Sequence, residues 1–192
     1  MTTGVEDPQV EPVVSPGRET TKHWALRALR EVAETVIPAV VIALIINVFL
    51  AQATQVLGQS MEPNLHTSQR VVVEKVTYRF FHGPRRGDIV VLSLPGQPDM
   101  LIKRVIGLPG ETIEVRGGQV YIDGEPIQES WTVNPGGGDY GPLTIPPLHV
   151  FVMGDNRGAS NDSRNFGPVS VDAIIGRAWF SYWPLKYVGF VE

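Results

Sequence analysis

Cysteine is absent from the 192-residue chain. That excludes disulfides, thiol nucleophiles and cysteine-ligated metals. Histidine is scarce: His23, His66, His82 and His149 stand apart, with no HExxH-like spacing. No protein-ligated zinc is therefore expected, and no other cofactor is implied. Positive charge is not in excess either, the formal net charge being −4, so the chain lacks the basic footprint of a nucleic-acid-binding protein. Charge of either sign is missing from Thr35 through Met61. Beyond that stretch lysine occurs only as Lys75, Lys103 and Lys186.

The uncharged stretch has an apolar centre, VIPAVVIALIINVFLA, from Val36 to Ala51. Extended slightly at both ends, it reaches the ~20 residues needed to cross a bilayer. Pro38 sits near the start of the run, where proline is best tolerated. Arg18, Lys22, Arg27 and Arg30 precede the run, and the next basic residue after it is Arg70. By the positive-inside rule the N-terminus is cytoplasmic and the larger C-terminal part is outside. The run is too long for a typical signal-peptide core, which favours an uncleaved anchor. The expected organisation is a disordered cytoplasmic tail over 1–23, an anchor helix over 24–53 and an extracytoplasmic domain over 54–192.

Glycine and proline are plentiful, at 20 and 16 residues, which suits a turn-rich domain and not a helix bundle. Short β-branched runs predict strands over Arg70–Val76, Asp88–Leu94, Leu101–Gly107, Thr112–Arg116, Gln119–Ile122, His149–Gly154 and Ile174–Trp183. Gly117-Gly118 and Asp123-Gly124 are hairpin signals between such runs. The expected fold is mainly β, an antiparallel, coiled or barrel-like domain behind one N-terminal transmembrane helix.

Three segments carry candidate chemistry. Lys103 lies in the apolar strand MLIKRVIG, where alternation sets it between Leu101 and Val105. A lysine desolvated in this way loses basicity and can act as a general base, although an edge-strand lysine can also reach water. Ser60 lies in Gly58-Gln59-Ser60-Met61-Glu62-Pro63, where it can present its hydroxyl and its own N–H to one cavity, or simply cap a turn. The third segment, Gly154 to Val169, is dense in hydrogen-bonding side chains. Asp155, Arg157, Asp162 and Arg164 there can lock a loop by ion pairing, or be solvated.

Taken together, the three segments resemble the type I signal peptidases, membrane-bound Ser/Lys endopeptidases. Ser60-Met61-Glu62-Pro63-Asn64-Leu65 is similar to that family's nucleophile box. Lys103-Arg104-Val105-Ile106-Gly107-Leu108-Pro109-Gly110-Glu111 is similar to its lysine box. Gly154-Asp155-Asn156-Arg157 with Ser160, Asp162, Ser163 and Arg164 is similar to its polar box. The boxes follow in order behind an apolar span, and together they are far more specific than any one alone.

The resemblance implies Ser60 as nucleophile, Lys103 as general base and Ser160 as the residue that orients the Lys103 amine. It implies an Asp162–Arg164 pair supported by Asp155. The Ser60 N–H would serve the oxyanion, while Gly58 stands where some members carry a serine donor, and Asn64 replaces a commoner threonine. Substrates would be preproteins with Ala-x-Ala-like sites, met at the lipid bilayer. Val56, Leu57, Met61, Leu65, Leu101 and Ile102 flank the pair and are candidate pocket walls. Ser60 lies about ten residues past the apolar core, a reach of at most ~36 Å, so the site would sit near the outer membrane face. Trp179, Phe180, Trp183, Tyr187 and Phe190 could face that bilayer or pack inside. A self-cleaving repressor fits less well, lacking the span, and a catalytically dead scaffold fits less well given an intact Ser60, Lys103 and Ser160.

Overall fold

The computed structural model describes residues 19–46, 51–133 and 136–191. The chain divides into two units, Met1–Leu44 and Ile45–Glu192. In the first unit, helix α1 runs Glu19–Ile45. Residues 19–23, expected in the tail, are already helical, while the tail up to residue 18 lies outside the described residues. Pro38 is well inside α1 and not near a helix start, so the helix forgoes one main-chain hydrogen bond there. Val36, Ile37, Val40, Val41, Ile42 and Leu44 are all exposed, on every side of the helix. Among the described residues no helix is long and apolar enough to cross a membrane. The apolar run that begins at Val36 continues through residues 47–50, which lie outside the described residues.

The second unit is mainly β and antiparallel. Ala51–Ala53, expected at the end of the anchor helix, instead open strand β1 (Ala51–Gln55), which pairs with β2 (Arg70–Glu74). A short helix α2 (Val76–Phe80) follows, then β3 (Ile89–Leu92), β4 (Leu101–Gly107), β5 (Thr112–Arg116), β6 (Gln119–Ile122) and β7 (Glu125–Pro126). The chain continues through β8 (Tyr140–Thr144), β9 (His149–Met153), helix α3 (Ser163–Phe166), β10 (Val169–Ser170), β11 (Ile174–Trp183) and β12 (Gly189–Phe190). Gly117 and Gly118, both at positive φ, make the two-residue turn joining β5 to β6. Asp123 and Gly124 do the same between β6 and β7, as the left-handed conformations of tight hairpins require.

The larger sheet has the order β1-β2-β11-β3-β4-β9-β10, with β12 on β11, and the smaller has the order β7-β6-β5-β8. The larger sheet ends at β1 and β10, so the expected coil is open and not a closed barrel. β4 lies between β3 and β9, and from Ile102 to Gly107 every one of its residues is buried. Val56, Met61 and Leu65 join Val71, Val73, Ile89, Val91 and Ile102 in one apolar cluster. Ile106, Ile113, Val115, Phe151 and Met153 belong to a second, and Val90, Leu92, Val105, Val150 and Val152 to a third. β4 contributes to all three, through Ile102, Ile106 and Val105, which is why its apolar residues fall on both faces.

Gly176 interrupts the pairing of β11 with β3 at a register shift, and a Cβ there would collide with the Glu74 carbonyl oxygen of β2. Backbone cannot give way as a flexible side chain can. Gly176→Ala is expected to lower stability by about 1–3 kcal/mol in urea unfolding. An unchanged midpoint would mean that β2 and β11 are less closely apposed.

Candidate active site

Two distant segments meet at the buried end of Lys103. β4 delivers the lysine from a strand covered on both faces, leaving it 3% exposed. The turn after Val56 delivers half-buried Ser60. This turn is held by its own hydrogen bonds, Glu62 N–H to Gln59 O at 3.2 Å and Leu65 N–H to Met61 O at 2.9 Å. Met61 and Leu65 anchor it from below in the first apolar cluster. Lys103 Nζ lies 2.8 Å from Ser60 Oγ and 3.1 Å from the Ile102 carbonyl oxygen. Burial lowers the Lys103 pKa from 10.5 to about 8, against the opposing pull of the Asp162 and Asp155 carboxylates. At pH 7 roughly a tenth of the amine is then unprotonated and able to accept the Ser60 proton, and the fraction reaches half near pH 8.

The polar box closes on this pair from the side. Arg104, next to Lys103 on β4, grips Asp155 with two hydrogen bonds of 2.8 and 2.7 Å, both residues being buried. Arg104 also donates to the Gly87 carbonyl and lies over the Trp131 ring, 4.7 Å from its centroid. Arg164 holds Asp162 in the same bidentate way and donates to the carbonyls of Gly136 and Arg157. Burial alone would raise the Asp162 carboxyl, but bonds from Arg164 and from the Gly154 N–H outweigh it and hold its pKa below the usual range. Arg157 pairs with Glu129 and donates to the Gly154 carbonyl. Gly154 is needed where it stands, since a Cβ would collide with the Ser160 side chain and crowd the Ser60 carbonyl.

The lysine amine spends its hydrogen bonds on Ser60 and Ile102. The buried Ser160 hydroxyl makes no hydrogen bond with the amine and lies near the Asp162 carboxylate, whose pKa it helps to lower. Among the six expected pocket-wall residues, Val56, Met61, Leu65 and Ile102 are buried in the core beneath the turn. Leu57, 62% exposed, and half-buried Leu101 have surface free for direct contact. Sequence reasoning missed the bridging part of Asn64. Its Nδ2 donates to Asp155 at 2.8 Å and to the Trp131 carbonyl at 3.0 Å, tying the nucleophile turn to the Arg104–Asp155 pair. It also missed Glu129, whose segment has no pattern that announces a partner for Arg157.

A serine hydroxyl hydrogen-bonded to a desolvated lysine is the constellation of a Ser/Lys hydrolase, in which the amine does the work that histidine does elsewhere. Residues 29–183 match the family profile described as signal peptidase, peptidase S26. A signal peptidase I of Leptolyngbya laminosa is 41% identical, over 84% of this chain and 83% of its own length. A signal peptidase I of Bacillus amyloliquefaciens is 36% identical over 88% of this chain and 96% of its own. The chloroplastic thylakoidal processing peptidase 1 of Arabidopsis thaliana is 34% identical over 83% of this chain and 50% of its own. The chain belongs to the signal peptidase family.

Burying an ionisable amine has a consequence for stability. The folded chain releases the Lys103 proton near pH 8, whereas the unfolded chain holds it to about 10.5. Between these values the unfolded state binds more protons, so this residue's contribution to stability rises with pH. Lys103→Met is expected to be more stable than the parent at pH 7, by an advantage that shrinks as pH climbs from about 8 to 10.5. Chemical denaturation at several pH values checks this, and a constant difference between the two proteins would contradict the lowered pKa.

Proposed function

We propose that this chain is a membrane-anchored signal peptidase that cuts exported preproteins after Ala-x-Ala-like sites, with Ser60 as nucleophile and Lys103 as general base. The observation that carries the reading is the 2.8 Å contact between Ser60 Oγ and a buried amine whose pKa is about 8. With Lys103 neutral, the Ser60 hydroxyl donates to Nζ. As Oγ attacks the scissile carbonyl carbon, its proton passes to Nζ and the carbonyl electrons move onto oxygen. The oxyanion is met by the Ser60 N–H, for which the described residues offer no acceptor. Collapse of the intermediate breaks the C–N bond, and the Lys103 ammonium returns the proton to the departing amine. Lys103, neutral again, then takes a proton from the water that hydrolyses the acyl-serine.

Gly58 marks where this site is economical. Its φ of +81° is one that a serine adopts only with strain, and the space a Cβ would enter is open. Oxyanion support therefore falls on the backbone. Asp162–Arg164 and Arg104–Asp155 hold the surrounding loop, and Leu57 and Leu101 offer the apolar contacts for small substrate side chains.

The anchor rests on the apolar run that starts at Val36 and on the lysines and arginines before it. The part of α1 from Val36 to Ile45 is apolar on every side, which suits a lipid surrounding. The catalytic unit would lie outside the cytoplasm, single-pass, with the N-terminus inside. Exposed rings of Trp179 and Phe190 cluster with Phe180 at centroid distances of 5.5–6.1 Å, and Trp183 is exposed too. Such rings favour the headgroup region, so they form the surface that would rest on the bilayer.

Ser60→Ala and Lys103→Ala are each expected to lower cleavage of an Ala-x-Ala precursor by at least about a thousandfold. The parent's rate should rise with pH through about 8 and level off above it. Near-parental activity in either variant, or a rate that is flat between about pH 6 and 9, would contradict the mechanism.

A further inference from the structure

The Gln59–Ser60 peptide is held from outside the turn. Asn156, the residue after Asp155, donates from its side-chain Nδ2 to the Gln59 carbonyl oxygen at 3.2 Å. Its backbone N–H donates to the Ser60 carbonyl oxygen at 3.0 Å. The Gln59 carbonyl and the Ser60 N–H belong to one rigid peptide plane, and in a trans peptide they point in opposite directions. Holding the oxygen therefore sets the direction in which the N–H points.

Asn156 is itself firmly placed. The Asp155 before it is clamped by Arg104, and the Arg157 after it is paired with Glu129. Val133 forms a parallel bridge with Asn156, through Val133 N–H to Asp155 O at 3.0 Å and Arg157 N–H to Val133 O at 3.2 Å. Two buried ion pairs and a backbone bridge thus supply a rigid base for one amide side chain.

We infer that Asn156 is a positioning residue that aims the Ser60 N–H at the oxyanion by gripping the Gln59 carbonyl. The inference rests on the reading of Ser60 as nucleophile and of its N–H as oxyanion donor. It gains weight from Gly58: with no side-chain donor at that position, the alignment of one backbone N–H governs how well the transition state is held. The Glu62 N–H also bonds the Gln59 oxygen, but it belongs to the same turn and moves with it. Asn156 is the contact that refers the peptide to the rest of the site.

Two variants of the full-length chain in detergent separate this role from a merely structural one. Asn156→Ala deletes the donor, whereas Asn156→Asp keeps the shape but sets an acceptor against the Gln59 oxygen. Cleavage of an Ala-x-Ala precursor gives kcat and KM. Binding of an Ala-x-Ala peptide aldehyde is compared with that of the corresponding alcohol. Ser60 Oγ adds to the aldehyde carbon, its proton passes to Lys103 and the carbonyl oxygen becomes an oxyanion, while the alcohol makes no such bond.

Asn156→Ala should lower kcat about 10- to 100-fold, less than the ~100- to 1,000-fold of deleting an oxyanion donor outright. Asn156→Asp should lower it further. KM and alcohol affinity should stay within about twofold, aldehyde affinity should fall with kcat, and in Asn156→Ala the pH midpoint near 8 should not move. Unchanged kcat, or equal weakening of aldehyde and alcohol, would overturn the inference. The ratio of the two affinities is read on folded protein and so decides even if a variant is less stable. Failure of the underlying reading registers separately, as cleavage retained by Ser60→Ala.

Discussion

The Lys103 amine sits against Ser60 in a strand whose two faces are both covered, and that burial is the condition on which the rest of the site depends. Water would restore a pKa near 10.5, and almost none of the amine would then be available as a base at neutral pH. The three apolar clusters that meet along β4 keep water out. The carboxylates of Asp162 and Asp155 pull the other way, toward the ammonium. They do not win, because burial outweighs them, and each carboxylate is paired with its own arginine, Arg164 and Arg104.

The same two ion pairs explain how a loop can be both buried and well placed. An isolated buried carboxylate is costly, and a buried pair yields little net stability. What these pairs supply is geometry. Arg104 ties β4 to the polar box, and Arg164 ties the box to the segment around Gly136. Asn64 and Asn156 then connect the nucleophile turn to the box from two sides. Ser60 is therefore fixed by contacts on a different part of the chain from the strand that carries its base. Gly154, with no side chain, lets the two segments approach.

How much of this was legible in the sequence follows from the range of each interaction. β4, β5, β6 and β11 lie where the β-branched runs predict them, because local pattern and burial agree there. Ala51–Ala53 of β1 fall in the expected helix, since Ala-Gln-Ala-Thr-Gln has no strand pattern of its own and is held by pairing with β2. β8 has no β-branched run to announce it, because Gly141 and Pro142 interrupt it. Ser60 and Lys103 stand 43 residues apart, and no spacing rule links them; only the ordered boxes of a known family did. Asn64 bonds Asp155 across 91 residues, and Glu129 pairs with Arg157 across 28, contacts without any local signature. Ser160 is assigned by resemblance, and its hydroxyl makes no hydrogen bond with the amine.

The central claim is that a buried, weakened lysine amine is the base. Its most direct test is the titration of the lysine side chains of the folded, full-length chain by heteronuclear NMR, with Lys103→Ala used to assign the Lys103 signal. The account predicts that Lys103 titrates near pH 8, well below the ordinary lysine value of 10.5. A Lys103 resonance that titrates near 10.5 would contradict it.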